Sequence, residues 1–251
     1  MSELIEVEDL GHRFRDGSWG LREASLKIAA GDVLLLAGRN GSGKTLLVRH
    51  FVGLARPTCG RVLYRGRPVG ADLAAARRGI GLVFQDSEAQ IVGQTLLEDA
   101  AFGPANLGLP TDEVLARARE ALEVVGLGER ERRRPDSLSG GERRRLALAG
   151  ILAMRPECIV LDEPFANLDL DAIRQVLAVV ARLAAEGHTL LLLTHELEKC
   201  LGHATRLAVM DGGKVVYDGP PGGLEPESFE ALGLMNPYRY GNDLRELTWL
   251  T

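Results

Sequence analysis

The stretch Gly38-Arg39-Asn40-Gly41-Ser42-Gly43-Lys44-Thr45 decides the reading of this chain, because it matches the phosphate-binding loop pattern G-x-x-x-x-G-K-[ST]. Its surroundings fit. Val33-Leu34-Leu35-Leu36-Ala37 before it is a short, unbroken apolar run of the kind a strand buried on both faces shows. After it, Leu46, Leu47, Val48, Phe51, Val52 and Leu54 recur at helical spacing. Gly38, Gly41 and Gly43 let the backbone curl so that successive N–H groups face inward, and a helix starting near Lys44 adds about half a positive charge from its dipole. Such a nest holds anionic phosphate. Lys44 supplies a flexible point charge for the β- and γ-phosphates, and the Thr45 hydroxyl is a ligand for Mg²⁺. A glycine loop that merely turns between strand and helix leaves Lys44-Thr45 unexplained.

Upstream, Leu4 to Leu10 alternates in strand fashion and Leu21 to Ile28 does so again, which predicts an antiparallel opening. Downstream come a short strand at Gly60 to Tyr64, a short helix at Ala71 to Arg78 and a buried strand at Ile80 to Phe84, ending at Gln85. By itself Gln85 reads as a loop residue. A short helix after Thr95 leads into a loop rich in Gly and Pro that runs to Pro110, and Asp112 to Val125 is amphipathic. Leu138-Ser139-Gly140-Gly141-Glu142 opens another helix, with Ser139 as N-cap and a second anion-binding helix start. Cys158 to Leu161 is a third buried strand; it ends in Asp162-Glu163, two carboxylates placed where a parallel sheet displays its ligand site, which points to a metal partner and a base. A helix over Asp169 to Glu186 precedes the strand Thr189 to Leu193, which ends at Thr194-His195, and Leu207 to Met210 with Lys214 to Tyr217 closes a hairpin. Strands alternating with helices give a largely parallel sheet. The remainder holds at most one short helix, near Glu227 to Leu232.

With 251 residues and 45% hydrophobic content there is material for one large α/β domain. The formal charge of -5 offers no global attraction to nucleic acid, and the clusters Arg130 to Arg134 and Arg143 to Arg145 read as solvated helix or loop faces. Cys59, Cys158 and Cys200 fit neither a disulfide framework nor a zinc site, so a reducing cytosol is expected. Met1-Ser2-Glu3-Leu4 does not resemble a signal peptide, and no apolar run reaches the ~18 residues of a membrane span. Any membrane role is expected to come through a partner.

In this order, the glycine loop, Leu-Ser-Gly-Gly, an apolar strand ending Asp-Glu and a later strand ending in His resemble the ATP-binding subunit of an ABC transporter, from Leu4 to about Gly219. The resemblance implies an α/β fold: a P-loop NTPase core of mainly parallel sheet with an antiparallel β subdomain and a helical signature subdomain. It implies a domain over 1–221, with its core at about 1–85 and 156–221 and the helical part at about 86–155, and a short tail over 222–251. Gly38 to Thr45 then matches the Walker A loop, Gln85 the Q-loop glutamine, Leu138 to Glu142 the signature, Asp162 the end of Walker B, Asp169 the D-loop aspartate and His195 the switch histidine. ATP and Mg²⁺ are the implied ligands. ATP is met by Phe14 or, alternatively, Trp19 at the adenine, by Gly38 to Leu46, and by Gln85 and Asp169. Thr45, Gln85 and Asp162 serve the metal, and Lys44, Glu163 and His195 the chemistry. In the family Ser139, Gly140 and Gly141 face the γ-phosphate held by the opposite subunit, so a second ATPase subunit is implied, identical or a paralogue.

Between Gln85 and Pro110 the sequence looks like the ATPases of energy-coupling factor importers, which take up vitamins, cobalt or nickel. That implies a transmembrane coupling protein and a substrate-binding membrane protein as partners, no nucleic acid, and a peripheral place on the cytoplasmic face of the membrane. Other ABC machines, such as exporters or cell-division complexes, are the competing readings. DNA-maintenance clamps need a long insertion for which Thr45 to Leu138 leaves no room. Three positions depart from the pattern: Leu46 where a Thr or Ser is usual, Glu142 for the commoner Gln, and Ser87 for Pro.

Overall fold

The computed structural model describes residues 3–241 and 243–250. Met1, Ser2, Asn242 and Thr251, which belong to the two units expected from the sequence, lie outside the described residues. In chain order the elements are β1 (Glu3–Arg13), β2 (Trp19–Ala29), β3 (Val33–Ala37), α1 (Lys44–Phe51), β4 (Cys59–Tyr64), β5 (Arg67–Pro68), α2 (Leu73–Gly79), β6 (Ile80–Val83), α3 (Leu96–Asn106) and α4 (Thr111–Val124). They continue with α5 (Gly140–Ala153), β7 (Cys158–Asp162), α6 (Leu170–Ala185), β8 (Thr189–Leu193), β9 (Arg206–Asp211), β10 (Lys214–Gly219) and α7 (Pro226–Ala231).

Two sheets result. One is antiparallel, in the order β2-β1-β4-β5; the other runs β10-β9-β3-β8-β7-β6 and is parallel except for the β9–β10 hairpin. The apolar runs explain why the second sheet lies inside. In β3, Val33, Leu35 and Ala37 enter one core while Leu34 and Leu36 enter another; in β8, Leu190 and Leu192 split from Leu191 and Leu193 in the same way. The strand period of two sends successive side chains to opposite faces, and each fully buried leucine contributes about 1.5–3 kcal/mol. One face is covered by the antiparallel sheet with α1, and the other by α3 to α6. Leu224, Phe229, Leu234, Leu244 and Leu247, beyond residue 221, bury into this second core.

Several boundaries moved for local reasons. β1 runs on to Arg13 instead of stopping at Leu10, passing a register shift where Asp9 takes φ 44° and its N–H donates to Ser25 Oγ at 3.0 Å. α2 starts at Leu73 rather than Ala71, because the Asp72 carboxylate caps it by accepting the Ala75 N–H at 2.9 Å. β6 stops at Val83, one residue early. The Phe84 N–H donates instead to Gln90 Oε1 at 2.7 Å, and Gln90 Nε2 returns a bond to the Leu82 carbonyl at 3.0 Å, so one side chain stands in for a neighbouring strand at the sheet edge.

All four strand ends with candidate chemistry lie at the carboxyl edge of the parallel sheet: β3 into the glycine loop, β6 into Gln85, β7 into Asp162-Glu163 and β8 into His195. An open α/β sheet places its ligand crevice there. Among the described residues no helix is long and apolar enough to cross a membrane.

Candidate functional site

The loop after β3 is a backbone device. Gly38 takes φ 149° and Gly43 φ 106°, and a side chain on either would collide with its surroundings, at 2.4 Å from the Met210 carbonyl oxygen and 2.9 Å from Leu21 Cδ2. Gly43 is also the N-cap of α1 and offers no side-chain cap, so the first N–H groups of that helix face the loop with the dipole behind them. Lys44, at 6% exposure, folds back over the loop. Its Nζ donates to the Gly38 carbonyl at 2.7 Å and to that of Arg39 at 3.4 Å, and lies 3.6 Å from Glu163 Oε1. Burial pushes the Lys44 ammonium below its usual range, and the charges of Glu163 and Asp162 offset this in part.

The ends of β7 and β8 complete the centre. Thr45 Oγ1 donates to Asp162 Oδ1 at 3.1 Å, and Asp162 is buried, which raises its carboxyl above the ordinary aspartate value. Glu163 leaves the strand in a left-handed conformation, φ 48°, while its N–H still reaches the Leu193 carbonyl at 2.9 Å. A non-glycine residue held so costs about 1–3 kcal/mol and points to a position kept for its side chain. His195 Nδ1 lies 3.2 Å from both Glu163 oxygens, so that nitrogen carries the proton.

Lys44, Thr45, Glu163 and His195 share one cavity of about 670 Å³, lined also by Phe14 and Trp19, by other residues from Asn40 to Leu46, and by Gln85. Both aromatics are there, so the two adenine candidates remain side by side: Phe14 is 46% exposed, and Trp19 39% with the Arg13 guanidinium 5.8 Å above its ring. Leu46 and Phe14 both stand against Gly20. The absence of a side chain there makes room for both, since a Cβ would sit 2.4 Å from Leu46 Cδ2 and 2.7 Å from Phe14 Cε2. Gly38 and Arg39 contribute carbonyls to Lys44, and Arg39 Nη2 donates outward to the Ala231 carbonyl at 3.1 Å.

Ser139, Gly141 and Asp169 do not line this cavity; Gly140 lines an adjoining one of about 860 Å³ with Thr45, Gln85, Arg144 and Asp162. Ser139 caps α5 in a reciprocal box: its Oγ accepts the Glu142 N–H at 3.3 Å, and Glu142 Oε2 accepts the Ser139 N–H at 2.8 Å. Glu142 thus closes the helix start, and that backbone donor, with the Arg130 guanidinium, holds its carboxyl below the usual range. Asp169 caps α6 through the Ala172 N–H at 2.8 Å.

The solvated face expected at Arg143 to Arg145 is incorrect. Arg144 and Arg145 are each 8% exposed, and Arg145 Nη1 donates to the Val125 carbonyl at 2.6 Å. Arg144 Nη1 donates to the Glu163 carbonyl at 2.7 Å and Nη2 to that of Gln85 at 3.0 Å. α5 is buried nearly all round, so its polar residues had to enter the protein and find acceptors there. Arg144 sits three residues after Gly141 and four before Leu148 on one helical face, but with no contrasting polar face on this helix that spacing does not show which way the side chain turns.

His50 was also unread. It is 2% exposed, its Nδ1 lies 2.7 Å from the Leu46 carbonyl and its Nε2 3.1 Å from His12 Nδ1, which also reaches the Arg56 carbonyl at 3.1 Å. Two carbonyl acceptors leave one tautomer: both Nδ1 atoms carry protons and His50 Nε2 accepts. Burial lowers the His50 pKa. A histidine kept neutral in the fold binds fewer protons than in the unfolded chain, so its contribution to stability is lost as pH falls below about 6.5. His50→Leu is therefore expected to flatten the fall of Tm between pH 7 and 5.5 relative to the native chain. Parallel Tm profiles would contradict this; the difference isolates His50 from Asp99, Asp162 and Glu198, whose carboxyls burial pushes upward.

Residues 21–166 match the family described as "ABC transporter". The chain is 42% identical over 221 residues to the energy-coupling factor transporter ATP-binding protein EcfA of Methanocaldococcus jannaschii, covering 87% of this chain and 79% of that one. In structure it is similar to CbiO1 of Clostridium perfringens, described as part of the ABC transporter complex CbiONQ, with TM-score 0.81, 31% identity and 92% of each chain covered. It is also similar to MJ0796, a bacterial ABC transporter cassette solved as a dimer, with TM-score 0.77, 26% identity, 88% of this chain and 100% of that one covered. A family model over more than half of the chain and a relative 42% identical over most of both chains agree, and the chain belongs to the ABC transporter family.

Proposed function

We propose that this ATPase energises an energy-coupling factor importer of a vitamin or metal ion, hydrolysing ATP at the centre formed by Lys44, Thr45, Asp162, Glu163 and His195. One observation carries the catalytic reading: a buried ammonium, a carboxylate braced by histidine and a hydroxyl–carboxylate pair meet at the rim of one glycine loop. The importer reading rests on the stretch from Gln85 to Pro110 and on the EcfA and CbiO1 relatives.

Lys44 and the loop N–H groups hold the β- and γ-phosphates and neutralise the charge that spreads over the transferred group. Thr45 and Asp162 fit Mg²⁺, since hard oxygen donors lie 3.1 Å apart there, with Gln85 at the same cavity. Bound Mg²⁺ supplies further neutralisation at the phosphate oxygens. Glu163 takes the proton of the attacking water as the bond from the γ-phosphorus to its bridging oxygen breaks, leaving ADP and inorganic phosphate. His195 donates Nδ1–H to Glu163, which fixes the aim of that carboxylate and sets the histidine beside the γ-phosphate.

Ser139 and Gly141 line neither cavity beside the chain's own glycine loop, and with Gly140 they serve the loop of a second ATPase subunit, identical or paralogous, with Asp169 at the same junction. ATP then holds two cassettes together, and its loss releases them. The residues over 1–221 form the motor, docked at the cytoplasmic face of the membrane on a coupling protein that accompanies a substrate-binding membrane protein.

Co-purification from a membrane extract tests the importer reading: a coupling protein together with a small substrate-binding membrane protein is expected, and an exporter-type transmembrane protein in their place would overturn it. Phe14→Ala is expected to raise the ATP Kd about two- to twelvefold, as loss of one ring stack removes about 0.5–1.5 kcal/mol. Unchanged affinity, measured by titration, would transfer the adenine role to Trp19.

A further inference from the structure

Val83 and Leu161 are the last pair of the β6–β7 ladder, and beyond them the two strands lead to the carbonyls of Gln85 and Glu163. Carbonyls cannot pair with each other. The fork of Arg144 answers both at once, with Nη1 on the Glu163 carbonyl at 2.7 Å and Nη2 on that of Gln85 at 3.0 Å. Arg144 is 8% exposed, its Nε has no partner, and Asp162 and Asp86 are the carboxylates whose charge compensates its burial. The residue it grips on one side is Glu163, in a left-handed conformation that needs outside support. Arg144 stands in the second turn of α5, the helix capped by Ser139.

We propose that Arg144 is a positioning residue for hydrolysis: it fixes the backbone under Glu163 and Gln85, and so the aim of both side chains, from the helix that carries Ser139. The inference rests on the reading of Glu163 as the base. A planar guanidinium carries donors on two separate nitrogens in a fixed fork that spans both carbonyls; an ammonium gathers its donors on one nitrogen without that fixed geometry, and a thioether donates to neither. Lys44 and the loop N–H groups do not depend on this bridge, so ATP binding is independent of it while turnover is not.

The test is steady-state hydrolysis and ATP titration of the full chain as Arg144→Met and Arg144→Lys, with thermal melting of each. Arg144→Met is expected to lower kcat at least twentyfold with the ATP Kd within threefold of native, and Arg144→Lys to recover part of the loss. Native kcat in either variant would overturn the proposal, as would a fall of kcat and affinity in the same proportion. Should Arg144→Met fail to fold, Arg144→Lys decides alone, with lowered kcat at native affinity as the supporting result. Glu163→Gln assayed alongside reports on the base itself. Native turnover there would sink that assignment, whereas an inactive Glu163→Gln beside a fully active Arg144→Met would sink only this proposal.

Discussion

Glu163→Gln is expected to lose ATP turnover by a factor of about 10²–10⁴, the range a general base contributes, while retaining ATP. The change keeps the shape of a side chain 8% exposed and removes only its charge and basicity. Each tenfold loss corresponds to about 1.4 kcal/mol of transition-state stabilisation, so about 3–5 kcal/mol rests on this carboxylate. Affinity moves the other way. Glu163 Oε1 stands 3.6 Å from Lys44 Nζ, the group that takes the phosphates, and a neutral amide there removes a negative charge from their neighbourhood. The ATP Kd is therefore expected to stay at the native value or fall, and an ATP-held dimer to accumulate in size-exclusion chromatography. Turnover within tenfold of native would remove Glu163 from the base role.

Lys44→Met carries the second largest effect, on binding rather than on the chemical step. The methionine reproduces the apolar stem and deletes the ammonium that donates to the Gly38 carbonyl at 2.7 Å and faces the loop. A charge-assisted contact to phosphate in a buried site is worth about 1.5–3 kcal/mol, which predicts a rise of the ATP Kd on the order of 10- to 100-fold and a fall of kcat/KM at least as large. The variant also leaves Glu163 with His195 as its remaining polar partner, so the fold loses a buried ion pair. Native affinity in Lys44→Met, measured by calorimetric titration, would show that the phosphates bind elsewhere.

Much of the fold was readable because its determinants are local. The runs Val33 to Ala37 and Thr189 to Leu193 appear as strands at the expected bounds, since a continuous apolar stretch of five residues next to a glycine or a polar end has few other uses. Ser139 caps α5 as expected, and the same chemistry caps α6 at Asp169. Where boundaries moved, a side chain from another turn or element had taken over a backbone donor: Asp72 at α2, Gln90 at β6 and Ser25 beside Asp9. Such substitutions depend on where the chain returns, which propensity and periodicity do not encode.

The same division runs through the site. The chain alone made legible the glycine loop, its lysine and threonine, the carboxylates at the end of β7 and the histidine after β8, because each needs only its neighbours in the chain and a strand end to stand on. What holds them in place came from packing. It set Lys44 against Glu163, brought Leu46 and Phe14 together over Gly20, buried His50 against His12, seated leucines after residue 221 in the core, and turned Arg144 inward to the carbonyls of Glu163 and Gln85. The physical reason is that α5 is buried nearly all round and shows no polar face in its periodicity. The direction of a charged side chain is then set by which unpaired carbonyls the packed strands leave within its reach.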